Sequence, residues 1–239
     1  PELIRTLTRI FPKAEIEVYC ALRRPDDYLI SWHNQRLKVG EKIDRLSEGG
    51  AEGYFGNIHF NFRTVVEPWG NLLPQAKLIV RPYSAIMAAG GSTQDFMDQV
   101  GADFPAGLIP AGRANRSLPR AAMEIVRRGN HALPPGQAHA LTQFLLNASD
   151  RLTPPADSDV EMYGPALRTR LAEAFAPIHD WLSERQNAPF FDDIDAVRTP
   201  RALGEDEAMR GLLAQIDPAM LPTPETAEFI TTLRQDIAA

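Results

Sequence analysis

The sequence predicts an α/β fold, with a small parallel sheet flanked by helices and a mostly helical C-terminal half. Residues 15–22 alternate polar and apolar side chains, a pattern typical of a strand with one buried face. Residues 78–80, Leu-Ile-Val, form a second apolar run suited to an interior strand. Helical segments separate these runs, so we expect parallel pairing through a crossover. Beyond residue 117 the apolar spacing is almost wholly helical.

The helices can be placed from their apolar spacing and their end signals. Pro25 suits the first turn of the helix after the first strand, because its missing amide hydrogen needs no partner there. Gly101 is predicted to end a later helix, and Gly129 another that opens after Ser117 and Pro119. Pro177 should bend the longest helix. The predicted helices cover residues 1–10, 25–38, 63–73, 93–100, 165–185, 205–216 and 224–237. Ser117 and Pro119 open one more and Gly129 closes it, and a further one begins at residue 135.

Two segments interrupt this pattern. Residues 48–60 are rich in glycine and aromatic side chains, which could cover a substrate cleft or pack on the core. Residues 187–203 contain two prolines and a run of acidic residues, and they mark the expected boundary. We therefore predict an α/β domain at residues 1–187 and a helical C-terminal extension at 188–239 that packs on it.

Composition limits the classes of function. The chain has 239 residues, 44% of them hydrophobic and 23% charged, which is ordinary for a globular protein. Its net charge of −6 argues against nucleic acid as a partner, since phosphate backbones demand concentrated positive charge. No apolar stretch is long enough for a membrane span, and the single cysteine, Cys20, suits a reducing compartment. We expect a cytoplasmic protein, and the oligomeric state stays open.

The most informative segment lies at the end of the first predicted strand. Arg23 would emerge at its carboxyl end, and Ser31 would lie in the second turn of the following helix. In α/β sheets this edge collects ligands, and a guanidinium with a hydroxyl can hold a phosphate monoester. The alternative is that Arg23 pairs with Asp26 or Asp27 and that Ser31 is an ordinary surface residue. Spacing alone leaves both open.

The residue order of this segment resembles the motif by which sulfotransferases bind the 3′-phosphate of PAPS. Arg23 and Ser31 are eight positions apart, and Pro25 follows the arginine pair, as in that motif. The resemblance, to the bacterial sulfotransferase-like family, covers roughly residues 14–187. Its further parts are the segments 28–38, 62–69, 77–83 and 113–118.

This resemblance implies a P-loop-type fold and transfer of a sulfuryl group from PAPS to a hydroxyl of a carbohydrate or other small acceptor. It implies PAPS or PAP as the cofactor, with Arg23 and Ser31 on the 3′-phosphate. Arg113, in a locally basic region, is a third predicted contact, although a solvated loop cation is the plain alternative.

The chain departs from the family in one respect. Neither glycine-rich segment, 48–53 or 89–93, places a lysine beside hydroxyl residues, as a phosphosulfate loop would. We expect either that this loop belongs to a segment before residue 1 or that the chain is a non-catalytic relative that binds PAP or a protein partner.

The catalytic base is not evident from the sequence. His33 and His59 are candidates by position only, and a structural role is the simpler interpretation of each. The acidic run at Asp192, Asp193 and Asp195 could suggest the metal site of a nucleotide-sugar glycosyltransferase. A solvated acidic linker explains it more simply, so no metal is expected.

Overall fold

The computed structural model describes residues 2–101, 105, 107, 116–148 and 151–238. The strands are β1 (Glu17–Leu22), β2 (Lys77–Pro82), β3 (Val160–Glu161) and β4 (Leu203–Gly204). The helices are α1 (Glu2–Ile10), α2 (Pro25–Lys38), α3 (Arg63–Leu72), α4 (Tyr83–Ala88), α5 (Ser92–Val100), α6 (Arg120–Ala132), α7 (Pro135–Asn147), α8 (Pro165–Gln186), α9 (Glu205–Leu213) and α10 (Pro224–Ala238).

The α/β prediction is confirmed. β1 pairs in parallel with β2, in a register that runs from Glu17 opposite Lys77 to Leu22 opposite Pro82. β3 and β4 form a second parallel pair, with Val160 opposite Leu203. Helices make up most of the rest of the described chain. Among the described residues, no helix combines the length and apolar character needed to cross a bilayer.

By compactness the chain divides into two units. The first comprises Pro1–Tyr28, Tyr54–Gly112 and Arg170–Val197, and the second comprises Leu29–Gly53, Arg113–Thr169 and Arg198–Ala239. The division predicted from sequence, 1–187 and 188–239, stays a prediction.

The first unit contains the β1–β2 sheet. α4 packs against both strands and against α5, and α3 packs against β2. Its interior contains a group of aromatic rings. These rings pack edge to face, an arrangement that aromatic side chains prefer. Phe175 on α8 lies 5.6 Å from Phe60 and 5.4 Å from Phe62, centroid to centroid. Phe60 and Phe62 are buried, so these aromatics of the glycine-rich segment and its flank pack in the core rather than cover a cleft.

The second unit is a group of helices around α6. α6 packs against α7 and α9, and α10 packs against α7 and α9. The prediction that Gly129 ends α6 is wrong, since the helix continues to Ala132. A Cβ at Gly129 would lie 3.0 Å from Leu141 Cδ2 on α7. The glycine therefore allows close approach of two helices, whereas Gly101, at φ 61°, does end α5 in the left-handed conformation as predicted.

Candidate functional site

The carboxyl edge of the β1–β2 sheet carries Arg23 and Tyr83. Arg23 directly follows β1, Tyr83 directly follows β2, and parallel strands bring these two ends to one edge. The Arg23 guanidinium carbon lies 5.2 Å from the centroid of the Tyr83 ring, and both residues are half-buried. Within the described residues Arg23 has no carboxylate partner. Among the described residues, therefore, this cation has no counter-ion, and it lies at the strand end where α/β proteins bind anions.

The neighbouring arginine has the opposite environment. Arg24 is 8% exposed, and its Nε donates to Asp26 Oδ1 at 2.7 Å. Its Nη2 also reaches Asp27 Oδ2 at 3.3 Å, and its Nη1 donates to Asp193. The pairing with Asp26 and Asp27 that sequence left open for Arg23 is thus made by Arg24. Arg24 therefore holds the start of α2, whereas Arg23 has no carboxylate partner in the part of the chain that the structure describes.

The other two predicted phosphate contacts are Ser31 and Arg113. Ser31 is exposed in the second turn of α2 and belongs to the second unit, whereas Arg23 belongs to the first. Arg113 lies outside the described residues. Convergence of Arg23, Ser31 and Arg113 on one phosphate stays a prediction.

A hydrogen-bonded triad lies on one face of the same sheet. The Asp95 carboxylate, on α5, accepts from Tyr19 on β1 and from Arg81 Nη2 on β2, each at 2.6 Å. Asp95 is 1% exposed, and the bonds from Arg81 and Tyr19 lower its pKa. Burial and the bond to Asp95 raise the pKa of Tyr19 to about 12. Each of the three groups is hydrogen-bonded within the triad. We therefore interpret the triad as a structural attachment of α5 to the sheet and not as a reactive site.

Neither histidine candidate is a clear base. His33 is 2% exposed, and its pKa is lowered to about 4 by burial, with smaller contributions from Arg36 and Arg127. Such an imidazole is neutral near pH 7, but it is shielded from solvent. His59 is half-buried, and its Nδ1 lies 3.0 Å from the Tyr28 hydroxyl. His59 is therefore the more accessible of the two.

The acidic run after α8 is explained by an ion pair. Asp193 pairs with the buried Arg24, which gives this part of the run a structural role. In the part of the chain that the structure describes, no group of three or more His, Cys, Asp or Glu side chains is arranged to hold a metal ion.

Sequence reasoning missed a buried charge cluster in the second unit. Glu124 on α6 has a fully buried side chain and receives Arg45 Nη2 at 2.8 Å, Arg127 Nε at 2.6 Å and Arg128 Nε at 2.6 Å. Arg45 is also paired with Asp206 on α9. Burial disfavours the charged Glu124, but the bonds from the arginines outweigh burial and lower its pKa to about 2.

This cluster borders an open pocket of about 410 Å³ at the carboxyl ends of β3 and β4. Glu205, the first residue of α9, lines it together with Arg45. Burial is the main cause that raises the pKa of Glu205 to about 7, and the nearby Glu124 and Asp206 carboxylates add to it. No sequence signal joined residues 45, 124 and 205, because each lies on a different element.

The chain matched no protein-family model, no curated protein and no solved structure in comparisons with each. The assignment to a family is therefore a proposal that rests on the residue order and on the geometry around Arg23.

Proposed function

We propose that this chain is a sulfotransferase-like protein of the P-loop type, which binds the 3′-phosphate of PAPS or PAP at the carboxyl end of β1. One observation carries the proposal. Arg23, the arginine that the motif assigns to the phosphate, is the member of the arginine pair without a carboxylate partner among the described residues. Arg24, beside it in sequence, is neutralised by three aspartates.

The residues fit the phosphate end of PAPS. A guanidinium offers paired donors to phosphate oxygens, and such charge-assisted bonds are about twice as strong as neutral ones. The Tyr83 ring supports the guanidinium from one side by a cation–π contact. Holding Arg23 in this way lowers the entropy lost when it closes on an anion.

The two glycine-rich segments do not supply the lysine that would hold the phosphosulfate end of PAPS. Gly49 and the Gly90-Gly91 pair adopt positive φ in turns, and no lysine accompanies the hydroxyl residues there. When bound, PAPS supplies the sulfuryl group that the resemblance assigns to a hydroxyl of a carbohydrate or small acceptor. The residues of this chain account for one part of the reaction, which is binding of the anionic phosphate by Arg23.

The second candidate function follows from the lack of a phosphosulfate loop in either glycine-rich segment. A non-catalytic relative would keep the Arg23 site, bind PAP and transfer nothing, or serve as an interaction module. Incubation with PAPS and a panel of hydroxyl acceptors separates the two, since only the enzyme releases PAP in step with a sulfated product.

Calorimetric titration with PAP tests the binding proposal. Losing one charged contact to phosphate costs on the order of 1.5–3 kcal/mol, so Arg23→Ala should weaken binding at least about tenfold. Arg9→Ala removes the same charge from an exposed site on α1 and should leave the affinity unchanged. Equal affinities for all three proteins would reject Arg23 as the phosphate ligand.

A further inference from the structure

A short helix of the first unit, α1, leaves large apolar side chains in solvent. Ile4, which is 6% exposed, buries one side of this helix. Leu3 and Ile10, seven residues apart and therefore on another side, are 60% and 56% exposed. Phe11 extends this exposed face. Its backbone N–H donates to the Leu7 oxygen at 2.8 Å, as in a helical turn, and its side chain is 55% exposed.

The polar side of α1 is basic. Arg5 and Arg9, four residues apart, share one face of the helix, and Lys13 follows two residues after Phe11. All three cations are exposed, and none has an ion pair or a side-chain hydrogen bond among the described residues. Residues 2–13 contain one carboxylate, Glu2, although the whole chain has a net charge of −6. This stretch is therefore locally positive and favours an anionic partner.

The size of this face favours a lipid surface over a protein partner. A helix of nine residues is about 14 Å long, whereas a stable protein–protein interface takes about 20–30 residues from each side. A bilayer surface needs no complementary groove, because a helix can lie in its plane between headgroups and acyl chains. Apolar side chains then enter the acyl boundary, and long cationic side chains extend to the headgroups. The exposed face of α1 has both kinds of side chain.

We propose that α1 attaches this chain peripherally to an anionic lipid bilayer. Leu3, Ile10 and Phe11 insert at the boundary between headgroups and acyl chains, and Arg5 and Arg9 contact the anionic headgroups. The inserted area is small, so the attachment is weak and reversible. The proposal is independent of anion binding at the carboxyl edge of the β1–β2 sheet.

The charge requirement is tested by co-sedimentation of the full chain with lipid vesicles. Vesicles of phosphatidylcholine and phosphatidylserine at a ratio of about 2:1 should bind the chain at least about tenfold more strongly than pure phosphatidylcholine. Arg9→Gln should weaken binding to the anionic vesicles about three- to fivefold, the contribution of one cation near such a surface. Arg210→Gln removes the same charge from an exposed residue of the second unit and should leave binding unchanged.

The apolar requirement is tested with a double variant. Leu3→Gln with Ile10→Gln should weaken binding to the anionic vesicles at least about tenfold, because two apolar side chains no longer leave water. Both positions are more than half exposed, so the fold should persist, which circular dichroism checks. Val39→Gln changes an apolar residue of the second unit that is 65% exposed, and it should have no effect.

Three results would overturn the proposal: no binding to the anionic vesicles, equal binding to both lipid compositions, or equal effects of the α1 variants and their controls. Size-exclusion chromatography tests the competing occupant, a second copy of this chain. A dimer that the double variant dissociates, in a protein that binds no vesicles, would also overturn the proposal and would assign this face to contacts between copies.

Discussion

The buried carboxylate Glu124 provides the strongest test of how the second unit is held together. Its side chain is inaccessible to solvent and receives hydrogen bonds from Arg45, Arg127 and Arg128. Glu124→Gln keeps the shape but removes the charge, and it turns an amide donor toward guanidinium donors. Breaking a buried ion pair costs about 3–5 kcal/mol, because the remaining charges stay buried and uncompensated. Arg45 retains Asp206, so we expect a loss of about 3 kcal/mol, the lower end of this range.

The loss is measured as the free energy of unfolding in guanidinium chloride, followed by far-ultraviolet circular dichroism. The control is Glu41→Gln, since Glu41 is 44% exposed and pairs with Arg36 on the surface. That change should cost less than about 1 kcal/mol. If Glu124→Gln costs no more than Glu41→Gln, the cluster does not stabilise this unit and the reasoning is refuted.

The same cluster predicts a pH dependence. The pKa of Glu124 is lowered from 4.5 to about 2 in the folded protein, so between these values the unfolded chain binds the proton more readily. Stability from Glu124 is therefore complete above about pH 4.5 and is lost as pH falls toward 2. The difference in unfolding free energy between wild type and Glu124→Gln should shrink across this window. A difference that stays constant from pH 7 to pH 3 would contradict the assigned ionisation.

Two further changes test the surroundings of this cluster. Gly50→Ala would place a Cβ 2.4 Å from the Asp44 backbone oxygen and should lower stability by about 1–3 kcal/mol in denaturant unfolding, whereas Gly56→Ala, with open space around its Cβ, should be near neutral. The pKa of Glu205 is raised from 4.5 to about 7, so the folded state binds more protons between these values and stability falls as pH rises from 4.5 to 7. Glu205→Gln should reduce this fall in thermal-unfolding scans between pH 5 and pH 8, whereas Glu207→Gln should not. Parallel pH profiles for wild type and Glu205→Gln would contradict this account.

The elements with strong local signals were predicted from sequence. Alternation identified β1, and Pro25 at the first helical position identified the start of α2. Parallel pairing followed from the helical segments between the strands, and the structure confirms it. The two-residue strands β3 and β4 were not predicted, because two residues are too few to show a period. The role of Gly129 was predicted wrongly. A glycine that ends a helix and a glycine that allows a neighbouring helix to pack closely cannot be told apart in sequence.

The candidate site was predicted only in its local part. Arg23 was identified from its position after β1, but sequence could not separate its environment from that of Arg24. The decisive partner, Asp193, lies 169 positions from Arg24. The contact between Tyr83 and Arg23 could likewise not be predicted, because it depends on the register in which β1 pairs with β2. Long-range pairings of this kind leave no spacing pattern in one sequence.

The central claim is that Arg23 binds the 3′-phosphate of PAPS or PAP, and a comparison of two nucleotides tests it most directly. PAP carries phosphates at the 3′ and 5′ positions, whereas adenosine 5′-monophosphate lacks the 3′ group. Calorimetric titration should show that wild type binds PAP more tightly than adenosine 5′-monophosphate, and that Arg23→Ala removes most of this difference. A preference for PAP that is unchanged in Arg23→Ala, or no preference in wild type, would contradict the claim.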